Sequence, residues 1–279
     1  GFVKRGFVIA RCTACRVEYV TEPRPHRVDY DADYFSAQAP DGYASYLEDR
    51  GLIQENFARR LQWLKLLRSG GRLLDVGAAY GLFVSVANDA GFDATGVEPA
   101  HACAEFAARE LGATVVPGRI EDVELPLGSF DIVTMFDVIE HFENPCAAVL
   151  RAHELLRPDG VLVIETGDLE AACARVCGRH WYFYDPPQHL TFFGRQSLSR
   201  MLDGAGFGPP LAIGHLGRRV SMRNFAFQLG RALGSGALGR FSRCVAGSRL
   251  GELSFPVPDR GNALVLACPR RAAGAVAAA

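Results

Sequence analysis

The sequence predicts an α/β fold: a doubly wound, mainly parallel sheet of seven strands, with a lid and a short N-terminal extension. Three observations predict it. Between residues 72 and 166, strand-like and helix-like patterns alternate, a rhythm that requires crossover connections and therefore parallel strands. The run Leu73-Leu74-Asp75-Val76-Gly77-Ala78-Ala79-Tyr80-Gly81 leaves a strand pattern, turns through small residues and opens a helix pattern. The chain has 279 residues, 49% hydrophobic and 22% charged, enough to bury one large core and too apolar for disorder.

Residues 1–50 read as an N-terminal extension. Cys12-Thr-Ala-Cys15 sits on a short strand or turn, and Glu22-Pro23-Arg24-Pro25 opens an extended linker. Residues 51–279 read as the main domain. Its first element is an amphipathic helix over residues 51–69, with Ile53, Phe57, Leu61, Leu64 and Leu67 at helical spacing and Gly70-Gly71 as the stop. Strands follow at Arg72–Val76, Ala94–Val97, Ala113–Val116, Ile132–Phe136 and Val161–Glu165. Helices lie between them at Gly81–Ala90, Ala100–Leu111 and Pro145–Leu156. After residue 166 the pattern loosens. Gln196–Gly206 reads as a helix, and Leu211–His215 and Asn262–Cys268 as strands. Residues 167–193 and 217–250 read as inserts. The first insert is aromatic and broken by proline; the second reads as basic and partly helical. From Gly204 to Gly251 there is no Asp or Glu, while Met222, Phe225, Leu229 and Leu233 recur at helical spacing. That stretch reads either as a solvated basic face or as a dock for an anionic substrate, a carrier-bound substrate or a membrane surface.

The net charge is −1, so bulk charge points to no nucleic-acid partner. No apolar run reaches the roughly 18 residues of a membrane span, which argues against stable membrane insertion. The first residues lack a secretory leader pattern, and the eight cysteines lack the density of a disulfide framework, so a reducing cytoplasm is the expected compartment. No sequence signal reports the oligomeric state.

The sharpest chemical feature is the turn at Gly77-Ala78-Ala79-Tyr80-Gly81. Small residues let the backbone approach a ligand, and the following helix offers unpaired N–H groups. Glu98 ends the next strand pattern, about 20 residues on, where a carboxylate can accept hydrogen bonds from ribose hydroxyls. A tight turn followed by a solvated acid is the bland alternative, and the pairing of the two features argues against it. A nicotinamide oxidoreductase would need G-x-G-x-x-G. Here Ala79 replaces the second glycine, and Asp75 just before the turn would repel phosphates and attract a cationic group.

These residues resemble the class I S-adenosylmethionine-dependent methyltransferases. Asp75-Val-Gly77-Ala78-Ala79-Tyr80-Gly81 resembles the first motif of that family, D/E-x-G-x-G-x-G, with Ala79 at the middle glycine. Glu98-Pro99 resembles the acid that holds the ribose, and Gly118-Arg-Ile120-Glu121-Asp122 the loop that brackets adenine. Ser129 to His141 resembles the fourth strand and its loop, and Leu156 to Glu165 the turn into the fifth strand. The resemblance spans about residues 50–215 and the last strand. It implies a Rossmann-like sheet with the last strand antiparallel between the fifth and sixth, and S-adenosylmethionine as cofactor. The cofactor residues it implies are Asp75, Gly77, Ala78, Ala79, Tyr80, Gly81, Glu98, Pro99, Ile120, Glu121 and Phe136. Glu140-His141 and Pro187-Gln-His189-Leu resemble the ubiquinone-biosynthesis-like group, which implies a small-molecule methyl acceptor, often methylated at oxygen.

Methyl transfer requires an in-line nucleophile, and an oxygen or nitrogen nucleophile benefits from a base near neutral pKa. His141 follows the fourth strand and His189 lies in the aromatic segment capping the same edge, so these two are the candidate catalytic residues. Each also reads as a structural histidine, bonded to a loop or packed in a lid. Tyr182 and Tyr184 are candidates for the acceptor pocket, or simply core. Glu140 with His141 suggests a metal, but no third ligand stands at readable spacing, so none is expected. Cys12 and Cys15 have the spacing of half a zinc knuckle, or are two ordinary thiols. Cys173 and Cys177, one helical turn apart, read as packing residues. N- or C-methylation, a nicotinamide oxidoreductase and a catalytically silent cofactor-binding protein are the competing functions.

Overall fold

The computed structural model describes residues 1–22, 46–226, 244–245, 248–257 and 263–271. Its first part is a meander of β1 (Phe2–Lys4), β2 (Phe7–Arg11) and β3 (Glu18–Val20). Helix α1 (Arg50–Leu67) leads into β4 (Gly71–Val76), α2 (Leu82–Asp89), β5 (Phe92–Glu98), α3 (His101–Leu111), β6 (Val115–Pro117) and β7 (Phe130–Phe136). A single 3-10 turn at Ile139–His141 then precedes α4 (Pro145–Leu155) and β8 (Leu156–Gly167). The remaining elements are α5 (Ala172–Cys177), β9 (Thr191–Phe192), α6 (Arg195–Gly204), β10 (Ala212–Gly214), β11 (Arg218–Ser221), β12 (Ser254–Val257) and β13 (Ala263–Pro269).

The main sheet runs β10-β13-β8-β7-β4-β5-β6. The contacts among β4 to β8 are parallel, and β13 lies antiparallel to both β8 and β10. This is the topology the resemblance implies. Successive side chains leave a strand on opposite faces. Leu74, Val133 and Leu162 therefore meet α4 and α6 through Val149, Ala152, Leu198 and Leu202. Leu73, Ile132 and Val163 meet α1, α2 and α3 through Leu64, Phe83, Val84 and Ala107. Covering both faces explains why β7 and β8 are near-continuous apolar runs.

Helix ends follow local chemistry. Asn144 caps α4 by accepting the Ala147 N–H at 3.1 Å, with Pro145 at the first helical position. Gly112, at φ +61°, ends α3 in the left-handed region.

The N-terminal extension differs from its sequence reading. Instead of a short element and a linker, β1, β2 and β3 form a sheet that continues into β9, with Glu18 opposite Phe192 and Tyr19 opposite Thr191. The linker region from residue 23 lies outside the described residues. This sheet closes a third core of Ile9, Val20, Trp181, Phe183, Tyr184 and Phe192, where Trp181 is fully buried and stacks on Phe183 at 5.1 Å. Arg5 pairs with Asp185 across the same junction. The extension and the aromatic insert are thus one packing unit in space, because neither carries enough apolar surface to close a core alone. Cys173 packs at its edge, whereas Cys177 is exposed and so is not the packing residue its spacing suggested.

The second insert opens on a strand and turns helical from Met222, in keeping with its partly helical reading. β11 pairs antiparallel with β12 and is pinned to α1 through Asn56, which donates to the Arg219 carbonyl at 2.9 Å and accepts the Arg219 N–H at 2.8 Å. Leu229 and Leu233 lie outside the described residues. No helix among the described residues is long and apolar enough to cross a membrane.

Candidate functional site

The carboxyl ends of β4, β5 and β7 form one edge, and three pieces of chemistry meet there. The first is the turn after β4. The N–H groups of Gly77 and Ala78 donate to the Val97 carbonyl at 2.9 and 3.1 Å. Gly77 has φ +75°, and a Cβ there would lie 2.5 Å from Val138 Cγ2, so the turn and the loop after β7 touch. Gly81, at φ +72°, caps α2. Ala79 takes φ +46°, a left-handed conformation that costs an L residue roughly 1–2 kcal/mol. The strain marks this turn as shaped for something other than local stability.

Glu98 is 4% exposed and holds this turn in place. Its Oε2 accepts the Ala79 N–H at 2.9 Å and its Oε1 the Ala100 N–H at 3.1 Å. Burial pushes its carboxyl above the usual range, and the two amides partly offset that. Each oxygen keeps lone-pair capacity for a hydroxyl. Asp75, also 4% exposed, accepts the Thr134 hydroxyl at 2.6 Å. Burial raises its carboxyl to about 7, and the neighbouring Glu98 charge adds to the rise. A buried carboxyl poised there gains most from a cation. S-adenosylmethionine carries an ammonium, a sulfonium and a ribose diol, and this donor set has the chemistry to hold it.

The expected adenine loop is partly corrected. Ile120 is 1% exposed and belongs to the core on the α4 face, so its side chain offers almost no surface, while Glu121 beside it is exposed. Pro99 is half-buried. Tyr80 is half-buried, edge-on to Phe106 at 4.9 Å and tilted against Tyr46 at 5.7 Å. Phe136 ends β7 half-buried, edge-on to Phe83 at 5.1 Å.

The second piece is the turn after β7. His141 and His189, far apart in sequence, stand edge to face with ring centroids 4.8 Å apart. His141 Nδ1 meets the Gln188 carbonyl at 3.0 Å, and His189 Nδ1 meets the Phe183 carbonyl at 2.7 Å. A carbonyl only accepts, so in each of these contacts the Nδ1 donates. Burial drives His141 down to about 3, with the nearby His189 adding to the effect. Glu140 is fully buried between them and β8. Its Oε2 accepts the Thr166 hydroxyl at 2.8 Å, and its Oε1 has no hydrogen-bond partner among the described residues. Burial, reinforced by Asp137, pushes its carboxyl to about 8. Ligand atoms of Glu140, His141 and His189 all lie within 4.8 Å of one another. The sequence expectation of no metal rested on the want of a third group near Glu140 and His141, and the fold supplies His189. The Leu190 N–H donates to the Glu140 carbonyl at 2.8 Å, and the Val20 N–H to the Leu190 carbonyl at 2.9 Å. Strand β3 thereby braces the segment carrying His189.

The third piece escapes the sequence reading. Arg60 of α1 forms a two-pronged ion pair with Glu165 at the end of β8, Nε to Oε2 and Nη2 to Oε1, both at 2.5 Å. Arg60 is 5% exposed and Glu165 is fully buried. Burial opposes the Arg60 charge, but Glu165 more than compensates and keeps it firmly protonated. The guanidinium also lies 5.9 Å from the Phe136 ring centroid. The available signal was a charged residue inside the apolar stripe of α1, next to Leu61 and Leu64.

The two tyrosines expected at the acceptor differ in their surroundings. Tyr182 is 40% exposed, and its hydroxyl accepts from Arg218 at 3.3 Å. Tyr184 is buried in the third core, with its hydroxyl donated to Glu18 at 2.5 Å, so it builds the wall instead of facing an acceptor.

A family model described as a methyltransferase domain matches residues 43–208, more than half of the chain. Among curated proteins, the ubiquinone biosynthesis O-methyltransferase of Haemophilus ducreyi is 32% identical over 166 residues, covering 50% of this chain and 70% of that one. Its counterpart in Methylococcus capsulatus is 26% identical over 191 residues, covering 60% and 81%. Among solved structures, the Burkholderia thailandensis 1,6-didemethyltoxoflavin-N1-methyltransferase, with bound 1,6-didemethyltoxoflavin and S-adenosylhomocysteine, covers 97% of this chain and 98% of its own at TM-score 0.52 and 17% identity. A methyltransferase from Thermotoga maritima covers 82% and 94% at TM-score 0.54 and 20% identity. On the family match and this shared fold, the chain belongs to the class I S-adenosylmethionine-dependent methyltransferases.

Proposed function

We propose that the chain methylates a small molecule at an oxygen atom, at the shared edge of β4 and β7. One observation carries the reading: the fold sets Glu140, His141 and His189 together immediately beside the glycine turn. Bound S-adenosylmethionine supplies an activated methyl, whose C–S bond breaks as the new C–O bond forms while the hydroxyl proton passes to water. Asp75 would pair with its ammonium, Glu98 would take the ribose hydroxyls, and the Gly77–Gly81 turn would border it. Glu121 and the turn at Gly118 border the adenine. His141 and His189 stand against the acceptor oxygen and lower the cost of removing its proton. Holding oxygen and methyl in line does the rest. Tyr182 and Arg218 border the acceptor pocket, and the Arg218 guanidinium suits an anionic or carrier-bound acceptor. The ubiquinone biosynthesis O-methyltransferases among its relatives support oxygen as the target. The unpaired cysteines suit a reducing cytoplasm.

A screen of phenols, catechols, aliphatic alcohols and amines for S-adenosylhomocysteine release, followed by NMR of the product, tests this. An O-methyl product is expected. An N- or C-methyl product would overturn the choice of atom, and tight S-adenosylhomocysteine binding without turnover on any acceptor would point to a silent binding protein. His189→Ala should lower kcat far more than it changes cofactor affinity.

A further inference from the structure

We propose that Cys12 and Cys15 are a redox-active dithiol that exchanges with small-molecule disulfides and closes into a Cys12–Cys15 disulfide. The pair lies outside the methyl-transfer site, and the inference does not depend on which atom is methylated.

The two cysteines sit on the turn between β2 and β3. The Arg16 N–H donates to the Cys12 carbonyl at 3.0 Å and the Cys12 N–H to the Val17 carbonyl at 2.9 Å, and Arg16 closes the turn at φ +65°. A turn brings Cα atoms three residues apart within about 7 Å, and a disulfide spans roughly 4.4–6.8 Å between Cα atoms. From α6, Arg200 donates to the Ala14 carbonyl at 2.8 Å and ties the turn to the main domain. Neither cysteine is in a disulfide, and both are partly exposed, so a small molecule can reach them. The backbone N–H groups of Cys15 and Ala14 hold the Cys12 thiol below its ordinary range, with help from the Cys15 thiol and the Arg16 N–H. An accessible, easily ionised thiol beside a resolving thiol is the arrangement that redox cysteines use. Among the described residues no third metal-ligating group stands with the pair, and a closed zinc site needs four ligands. Cys173 and Cys177 provide a contrast within the same chain. Their sulfurs lie 3.9 Å apart and burial raises the Cys173 thiol. Helical residues four apart hold their Cβ atoms about 5–6 Å from each other, wider than the roughly 3.5–4.5 Å that a disulfide takes.

The oxidant is a small-molecule disulfide. The Cys12 thiolate attacks one of its sulfurs, the S–S bond breaks, and one thiolate leaves as a mixed disulfide forms on Cys12. The Cys15 thiol then gives its proton to water, and its sulfur attacks the Cys12 sulfur and displaces the second thiolate. Two protein thiols are oxidised, and one small disulfide is reduced to two thiols.

The test treats the full, pre-reduced chain with about 1 mM glutathione disulfide near neutral pH, quenches by alkylation and maps thiols by mass spectrometry. Trypsin cuts after Arg11 and Arg16, so Cys12 and Cys15 leave on one peptide with no other cysteine. The expected result is that peptide lighter by about 2 Da, formed at least about 10-fold faster than any change at Cys173 or Cys177 and reversed by dithiothreitol. Cys15→Ser should stop at a glutathione adduct on Cys12, and Cys12→Ser should slow the reaction of Cys15 by about 10-fold or more. Circular dichroism and S-adenosylhomocysteine affinity report whether each variant is folded. Cys12 and Cys15 that both stay alkylatable after an hour in about 10 mM glutathione disulfide would overturn the proposal. So would earlier oxidation of Cys173 and Cys177. Tightly held zinc that blocks the exchange in the reduced chain would overturn it in favour of a metal site.

Discussion

Asp75→Asn should remove a pH dependence of stability that the wild-type chain carries between about pH 4 and pH 7. Asp75 is almost wholly buried, and burial lifts its carboxyl from 3.8 to about 7, against the pull of the Thr134 hydroxyl. The folded pKa lies above the unfolded one, so in that window the folded state keeps a proton that the unfolded chain releases. Stability therefore falls as pH rises, by at most about 1.4 kcal/mol per unit, and roughly 4 kcal/mol is lost by the time the folded carboxyl ionises. Asparagine keeps the shape and the Thr134 contact and has no proton to lose. Urea unfolding of both chains at four pH values from 4.5 to 7.5 gives the difference directly. The wild type should lose ground to the variant steadily up to neutral pH, then run parallel. Curves that stay parallel throughout, within about 0.5 kcal/mol, would refute the buried-acid argument. The same carboxyl should make cofactor binding tighten as pH rises toward 7, and Asp75→Asn should flatten that trend.

Other expectations follow from single contacts. Glu98→Ala should weaken S-adenosylhomocysteine binding by roughly 1–3 kcal/mol in calorimetry, because the ribose partner and the brace on Ala79 and Ala100 go together. Arg60→Met should destabilise the fold by about 3–5 kcal/mol, since it strands a buried Glu165, and adding Glu165→Met should recover most of that loss in denaturant titrations. Gly77→Ala should abolish detectable cofactor binding while leaving far-UV circular dichroism largely native. Its methyl would strike Val138 at a backbone conformation that alanine resists.

Much of the fold was legible because its signals are local. The Leu73-Leu74 strand, the glycine turn and the acid at Glu98 lie within one crossover unit, where hydrophobic period, turn chemistry and spacing report on neighbours in the chain. The helices over 51–69 and 145–156 were readable for the same reason, each agreeing with its observed span to within two residues at either end. The antiparallel last strand was reachable only through the family resemblance, since Ala263–Pro269 names no partner of its own.

What the sequence determined by itself was the succession of strands and helices along the chain and the glycine turn that follows β4. What only tertiary structure decided was who meets whom across long stretches of chain. His189 arrives at Glu140 because β3 and β9 pair and carry the aromatic segment over the strand ends. Arg60 finds Glu165 because α1 packs on the β8 side of the sheet, and Tyr184 turns inward because the N-terminal sheet offers it Glu18. Periodicity and propensity depend on residues a few positions apart, whereas these contacts come from burying surfaces that are remote in sequence and leave no local pattern.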